Sequence, residues 1–100
     1  MDGFVAVDAR LCIIHMNDKF RAMFGRNGVD LLGRPVWEAL PSPLDQSLRL
    51  ACEMAMSEQR SVSIHLVDAT NDRHLECRIH PSGDGLVLSF RDPGPAQQAE

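Results

Sequence analysis

Four histidines, three cysteines and fourteen carboxylates are the side chains through which this chain of 100 residues could do chemistry. Imidazoles bind metals or move protons, thiolates attack or coordinate, and paired carboxylates share acid and base roles. Each of these needs groups that converge, so spacing decides. His74 and His80 stand six residues apart on one extended segment, about 20 Å, and cannot share a metal. His65 with His74 or Glu76 could form at most a weak cross-strand site, and a solvated polar face is the simpler reading, so no metal site is assigned. His15 has apolar neighbours and reads first as a hydrogen-bonded structural histidine. Cys12, Cys52 and Cys77 are odd in number, far apart and set among apolar residues, which suits small core residues better than a disulfide framework or a metal knuckle. Glu38, Asp45 and Glu53 fall on different helical segments and read as solvated faces. With no Ser/His/Asp array and no glycine-rich phosphate loop, no catalytic residue is assigned.

Composition narrows the function classes further. A hydrophobic fraction of 44% suits one globular core, and 100 residues leave no room for a second. The net charge of −4 gives no basic field to attract phosphate backbones, so nucleic acid is not expected as a direct partner. No apolar run reaches the length of a membrane span and no signal segment opens the chain, so no membrane association and a cytoplasmic location are expected. Residues 1–92 read as one domain. The end of the chain, "RDPGPAQQAE", loses its apolar residues, and 93–100 reads as a linker.

Positioning falls to elements whose limits are marked by turn and cap residues. "GFVAVD" and "LCIIHM" form a hairpin around a two-residue gap. That pairing sets Val5 and Val7 on the core face with Cys12, Ile14 and Met16, leaving Phe4, Ala6, Ile13 and His15 on the other. Asn17 is an N-cap, and a helix follows through "DKFRAMF" to Gly25, with Phe20, Met23 and Phe24 as its apolar stripe. "GVDLLGRPVWEALP" is too broken by Gly33 and Pro35 for one helix and reads as short helical turns. The longest helix starts with Ser42 as N-cap and Pro43 at its first position, and its stripe is Leu44, Leu48, Ala51 and Ala55 with Cys52 and Met56. Two alternating runs flank a loop at Ala69–Asp72, which sets Val62 opposite Ile79, Ile64 opposite Cys77 and Leu66 opposite Leu75. The histidines then share the outer face. "GLVLSFRD" supplies a fifth strand with Leu86, Leu88 and Phe90 inward. The expected fold is α+β, in the order β-β-α-α-α-β-β-β, with helices on one face of five strands.

This order and its punctuation resemble the PAS domain. The matching residues are "DGFVAVD", "IIHMN", Phe20, Phe24 and Gly25, then "LLGRP" at Leu31 to Pro35, and "SFRD" at the end of the last strand. The resemblance implies a five-stranded antiparallel sheet cupping a pocket under its helices. It further implies a sensory or regulatory module that binds a small molecule, or rearranges as a homodimer, and biases a C-terminal output. That output would be a histidine kinase, a cyclic-di-nucleotide enzyme or a transcription regulator. The alternative is a ligand-free dimerisation or docking module. The resemblance disfavours haem, because members usually draw that ligand from the long helix and residues 43–59 hold no histidine. LOV-type flavin is disfavoured because "GRNGVDLLGRP" lacks the required cysteine, and the cofactor is otherwise unknown. Pocket candidates are Val7, Ile14, Met23, Phe24, Leu32, Trp37, Leu40, Leu48, Ile64, Leu66, Cys77 and Leu88. Candidates for a partner face are Phe4, Ala6, Ile13, His15 and His65. Arg91 and Asp92 mark the signal exit, where Pro93 and Pro95 disfavour a helix that starts at once.

Overall fold

The computed structural model describes residues 2–25, 30–68 and 72–92. Most of the expected Ala69–Asp72 loop and the expected linker at 93–100 lie outside the described residues. Five strands, β1 (Gly3–Val7), β2 (Ile13–Met16), β3 (Val62–Asp68), β4 (Arg73–Ser82) and β5 (Gly85–Arg91), form one sheet in the order β2-β1-β5-β4-β3. Every pairing is antiparallel. Helices α1 (Asp18–Phe24) and α2 (Leu44–Glu58) and a 3₁₀ turn at Val36–Ala39 cover one face. The middle helical segment is thus a single short turn.

Asn17 ends β2 and starts α1. Its Oδ1 accepts from the Phe20 N–H at 2.9 Å, the N-cap bond, and also from the Phe4 N–H at 2.9 Å, while its Nδ2 donates to the Asp2 carbonyl at 3.1 Å. One amide therefore caps a helix and fastens the start of β1. On the inner side Phe20, Phe24 and Phe90 pack with ring centroids 5.0 to 5.7 Å apart, joining α1 to β5 in tilted and edge-on contacts. Helix α2 turns Leu44, Leu48, Ala51, Cys52 and Ala55 inward, the expected stripe. Its first turn departs from expectation. Pro43 stands in the cap position without a side-chain bond to the helix, and the Asp45 N–H that Ser42 would have capped donates instead to the Pro41 carbonyl at 3.2 Å.

The hairpin β3–β4 has the predicted register, with Val62 opposite Ile79, Ile64 opposite Cys77 and Leu66 opposite Leu75. The first hairpin does not. Asp8 and Cys12 close a longer loop, in which the Asp8 carboxylate takes the Arg10 and Cys12 N–H groups and Leu11 sits at φ 67° with its side chain buried. A register shift between Ala6 and Val7 then pairs Val7 with Ile13 and Val5 with Met16. Ile13 is therefore core, 1% exposed, and Ile14 faces outward at 59%. A loop of changed length reverses the face of the following residue, and the bulge restores the phase by Met16.

The outer edge of β2 is covered by the segment that follows. Ile13 donates to the Arg34 carbonyl at 2.9 Å, Gly33 donates to the Ile13 carbonyl at 2.8 Å, and Val36 donates to the Leu11 carbonyl at 3.0 Å. This shields an edge strand from pairing elsewhere. Reaching it requires a tight turn, closed by Arg34 N–H to the Leu31 carbonyl and passing through Gly33 at φ 83°. Leu31 is buried by that turn, and Leu32 at its corner is 47% exposed.

Candidate functional site

Three places can carry function: the space between sheet and helices, the outer face of the sheet, and the point where the chain leaves β5. In the first, Val7, Phe24, Leu40, Leu48, Leu66, Cys77 and Leu88 are buried in one continuous core, with Met23, Trp37 and Ile64 half-buried against it. Ile14 and Leu32 must be removed from the pocket candidates, since both point to solvent for the reasons of register and turn given above. Trp37 lies under Arg49, whose guanidinium carbon stands 5.0 Å from the ring centroid, so the indole is shielded by a cation rather than opening a cavity. No buried polar or charged side chain is found among the described residues. The nearest to one are thiols. Burial first, and the Glu53 charge second, push Cys52 up to about 12; burial and the neighbouring Cys52 raise Cys77 further. Both stay protonated and are poor nucleophiles. The chemistry of this interior fits apolar contents only.

The outer face differs in kind. Phe4 is 45% exposed, Ala6 is half-buried, and His15 and His65 are exposed there, whereas Ile13 belongs to the core and drops out of the partner-face set. Asp2, Phe4, Glu76, Arg78, His80, Ser89 and Arg91 line a shallow hollow of about 130 Å³ across β1, β5 and β4. It combines one aromatic with both signs of charge. Further along, Ser61 bonds His80 Nδ1 at 2.8 Å and His65 bonds His74 at 3.2 Å.

At the exit, two ion pairs flank the end of β5. Arg91 Nε lies 3.6 Å from Asp2 Oδ1, and Arg73 Nε lies 3.6 Å from Asp92 Oδ2. Arg73 also stands over the Phe24 ring, 5.8 Å from its centroid. Arg73 was not singled out from the sequence, because a cationic residue beside a turn carries no local signal; only the strand order brings it to Asp92 and Phe24.

A five-stranded sheet in this order with its helices on one face is the arrangement of a known sensory fold, and a profile described as the PAS fold matches residues 1–98. The chain belongs to the PAS-fold family. Among solved structures it is similar to a domain of an HTR-like protein from Haloarcula marismortui, at 18% identity and a TM-score of 0.77 over 93% of this chain and 98% of that one. It is also similar to the PAS domain of the histidine kinase ThkA, at 18% identity and a TM-score of 0.73 over 92% of this chain and 100% of that one. A sensory box sensor histidine kinase from Vibrio cholerae matches at 17% identity and a TM-score of 0.71, over 94% and 83%. No curated protein sequence matches. At such identities the likeness extends to the PAS fold and leaves ligand and output open. No described helix is long and apolar enough to cross a membrane.

Proposed function

We propose that this PAS domain is a sensory or regulatory module that relays a conformational state to an output joined on its C-terminal side. The observation that carries the reading is Arg73. Its guanidinium touches the aromatic cluster at Phe24 and the residue at the exit, Asp92, so a shift of α1 against the sheet changes the setting of the departing chain. Arg91 adds a tie to Asp2, which brings both ends of the domain to neighbouring central strands. A relay of this kind needs only a difference of about 1–3 kcal/mol between two states. The proposal assigns no catalytic residue.

An apolar small molecule between sheet and helices, or a change in a homodimer, would each supply the input. The apolar interior supports a ligand without hydrogen-bonding groups over haem or flavin. A histidine kinase or a transcription regulator is the output class the reading favours, in keeping with the kinases that share the fold. The second reading, a ligand-free dimerisation or docking module, rests on exposed Phe4 among charged residues of both signs.

The relay is tested by amide NMR of the whole chain. Phe24→Leu, a mild change of ring for branched chain, should move the Arg91 and Asp92 resonances, and the additional change Arg73→Gln should abolish that movement while Phe90 still responds. If Asp92 is undisturbed by Phe24→Leu, or disturbed equally without Arg73, the relay reading fails.

A further inference from the structure

At the far end of the outer face, the paired histidines have a geometry with a second use. The β3–β4 register sets His65 opposite Glu76 and Val67 opposite His74, which makes His65 and His74 diagonal neighbours on the outward side. His65 Nε2 lies 3.2 Å from His74 Nδ1, and the ring centroids are 5.2 Å apart at 43°. Hydrogen bonds donated by nitrogen centre on about 2.9–3.0 Å. Two imidazole nitrogens held about 2.0–2.1 Å from one tetrahedral ion stand about 3.3 Å apart. The observed gap is at the long end of the hydrogen-bond range, about 2.7–3.2 Å, and also close to the spacing of two ligands on one ion.

We infer that His65 Nε2 and His74 Nδ1 form a two-histidine site for a divalent transition metal such as zinc, nickel or copper. Ligation through Nδ1 leaves His74 Nε2 on the side of Asp72, whose Oδ1 at 3.9 Å is beyond hydrogen-bond distance and would have to move closer to accept from it. A carboxylate behind a ligating imidazole holds the tautomer in which the metal-facing nitrogen carries no proton. The proton that lies between the rings without metal moves to His65 Nδ1, so both rings stay neutral and both facing nitrogens become donors. Among the described residues no three His, Cys, Asp or Glu side chains already converge. The remaining positions therefore fall to water, with Glu76, opposite His65, the carboxylate placed to swing in. Imidazole donors favour copper, nickel and zinc over magnesium and calcium. His80 stands apart, bonded through Nδ1 to Ser61. The site does not rest on the relay, and of the partner-face candidates it uses only His65, which lies outside the hollow around Phe4.

The test is a titration of the tag-free chain with zinc chloride, read by calorimetry and by imidazole and amide NMR. One zinc per chain is expected, with His65 and His74 resonances moving together and no response to magnesium chloride. His65→Ala and His74→Ala should each weaken zinc binding by about tenfold or more, and His80→Ala should leave it within about twofold. Because both rings reach solvent from a formed sheet, unchanged melting of the variants is the check that they fold. Absence of zinc binding, full binding by folded His74→Ala, or an equal loss in His80→Ala overturns the site.

Discussion

Cys52 on α2 and Cys77 on β4 show what single residues contribute when an interior contains no buried polar side chain among the described residues. In the unfolded chain both thiols titrate near their ordinary value of 9.0, while in the folded chain burial moves Cys52 to about 12 and Cys77 higher. Above pH 9 the unfolded state therefore loses protons that the folded state keeps. The stability these thiols support is complete below that pH and declines as pH rises, by up to about 1.4 kcal/mol per pH unit for each thiol. The chain has no tyrosine to obscure this titration. Urea unfolding between about pH 9 and pH 11 should show the decline, and the double change Cys52→Ala, Cys77→Ala should flatten it. An equal slope in the variant would mean that other groups set the alkaline limit. Asn17 marks the opposite case, a residue whose cap to Phe20 was readable from its type and position, and whose bonds to Phe4 and Asp2 were not. Contacts thirteen and fifteen residues away leave no trace in local pattern.

Elements were legible where side chains alternate without interruption. β3, β4 and β5 have long two-residue periods bounded by turn residues, which fix the inward faces but leave a slip of two residues open; the loop set at Ala69–Asp72 chose the β3–β4 register, and the register found is that one. The four residues of β2 gave no such redundancy. A loop of one length or another decides which of two adjacent isoleucines is inside, and the deciding feature is Leu11 in a left-handed conformation, a setting that hydrophobic residues rarely adopt. The correction can be measured. Ile13→Ala should cost about 2–5 kcal/mol of unfolding free energy, the usual range for emptying a core position. Ile14→Ala, chemically the same change one residue later, should cost under about 1 kcal/mol, the scale of strand propensity alone. Equal losses in denaturant would reject the bulge and return Ile14 to the interior. The middle of the chain was legible only in outline, because the segment that covers β2 is held by backbone bonds, which any sequence can make, and Leu31 rather than Leu32 is buried as a result.

For the whole molecule, the sheet separates two surfaces of different character, and the docking reading proposed above is tested most directly with a second copy of the chain as the occupant of the outer one. Phe4 shares its hollow with Asp2 and Glu76 on one side of the charge balance and Arg78 and Arg91 on the other. A surface holding both signs around one aromatic can pair with itself across a twofold axis, each positive group meeting a negative one. A partner of a single sign would leave part of it unmatched. Aromatic anchors at the centre of such a face dominate its energy, and truncating one typically costs about 2 kcal/mol or more. Sedimentation equilibrium of the chain should therefore show a monomer–dimer balance. Phe4→Asp should shift its dissociation constant upward by at least about tenfold, with raised salt acting in the same direction. Because Phe4 lies outside the core, its melting temperature at low concentration should stay near that of the parent chain. A dimer indifferent to Phe4→Asp would place the contact elsewhere, and a strict monomer at high concentration would leave the outer face to a different protein and the relay to ligand alone.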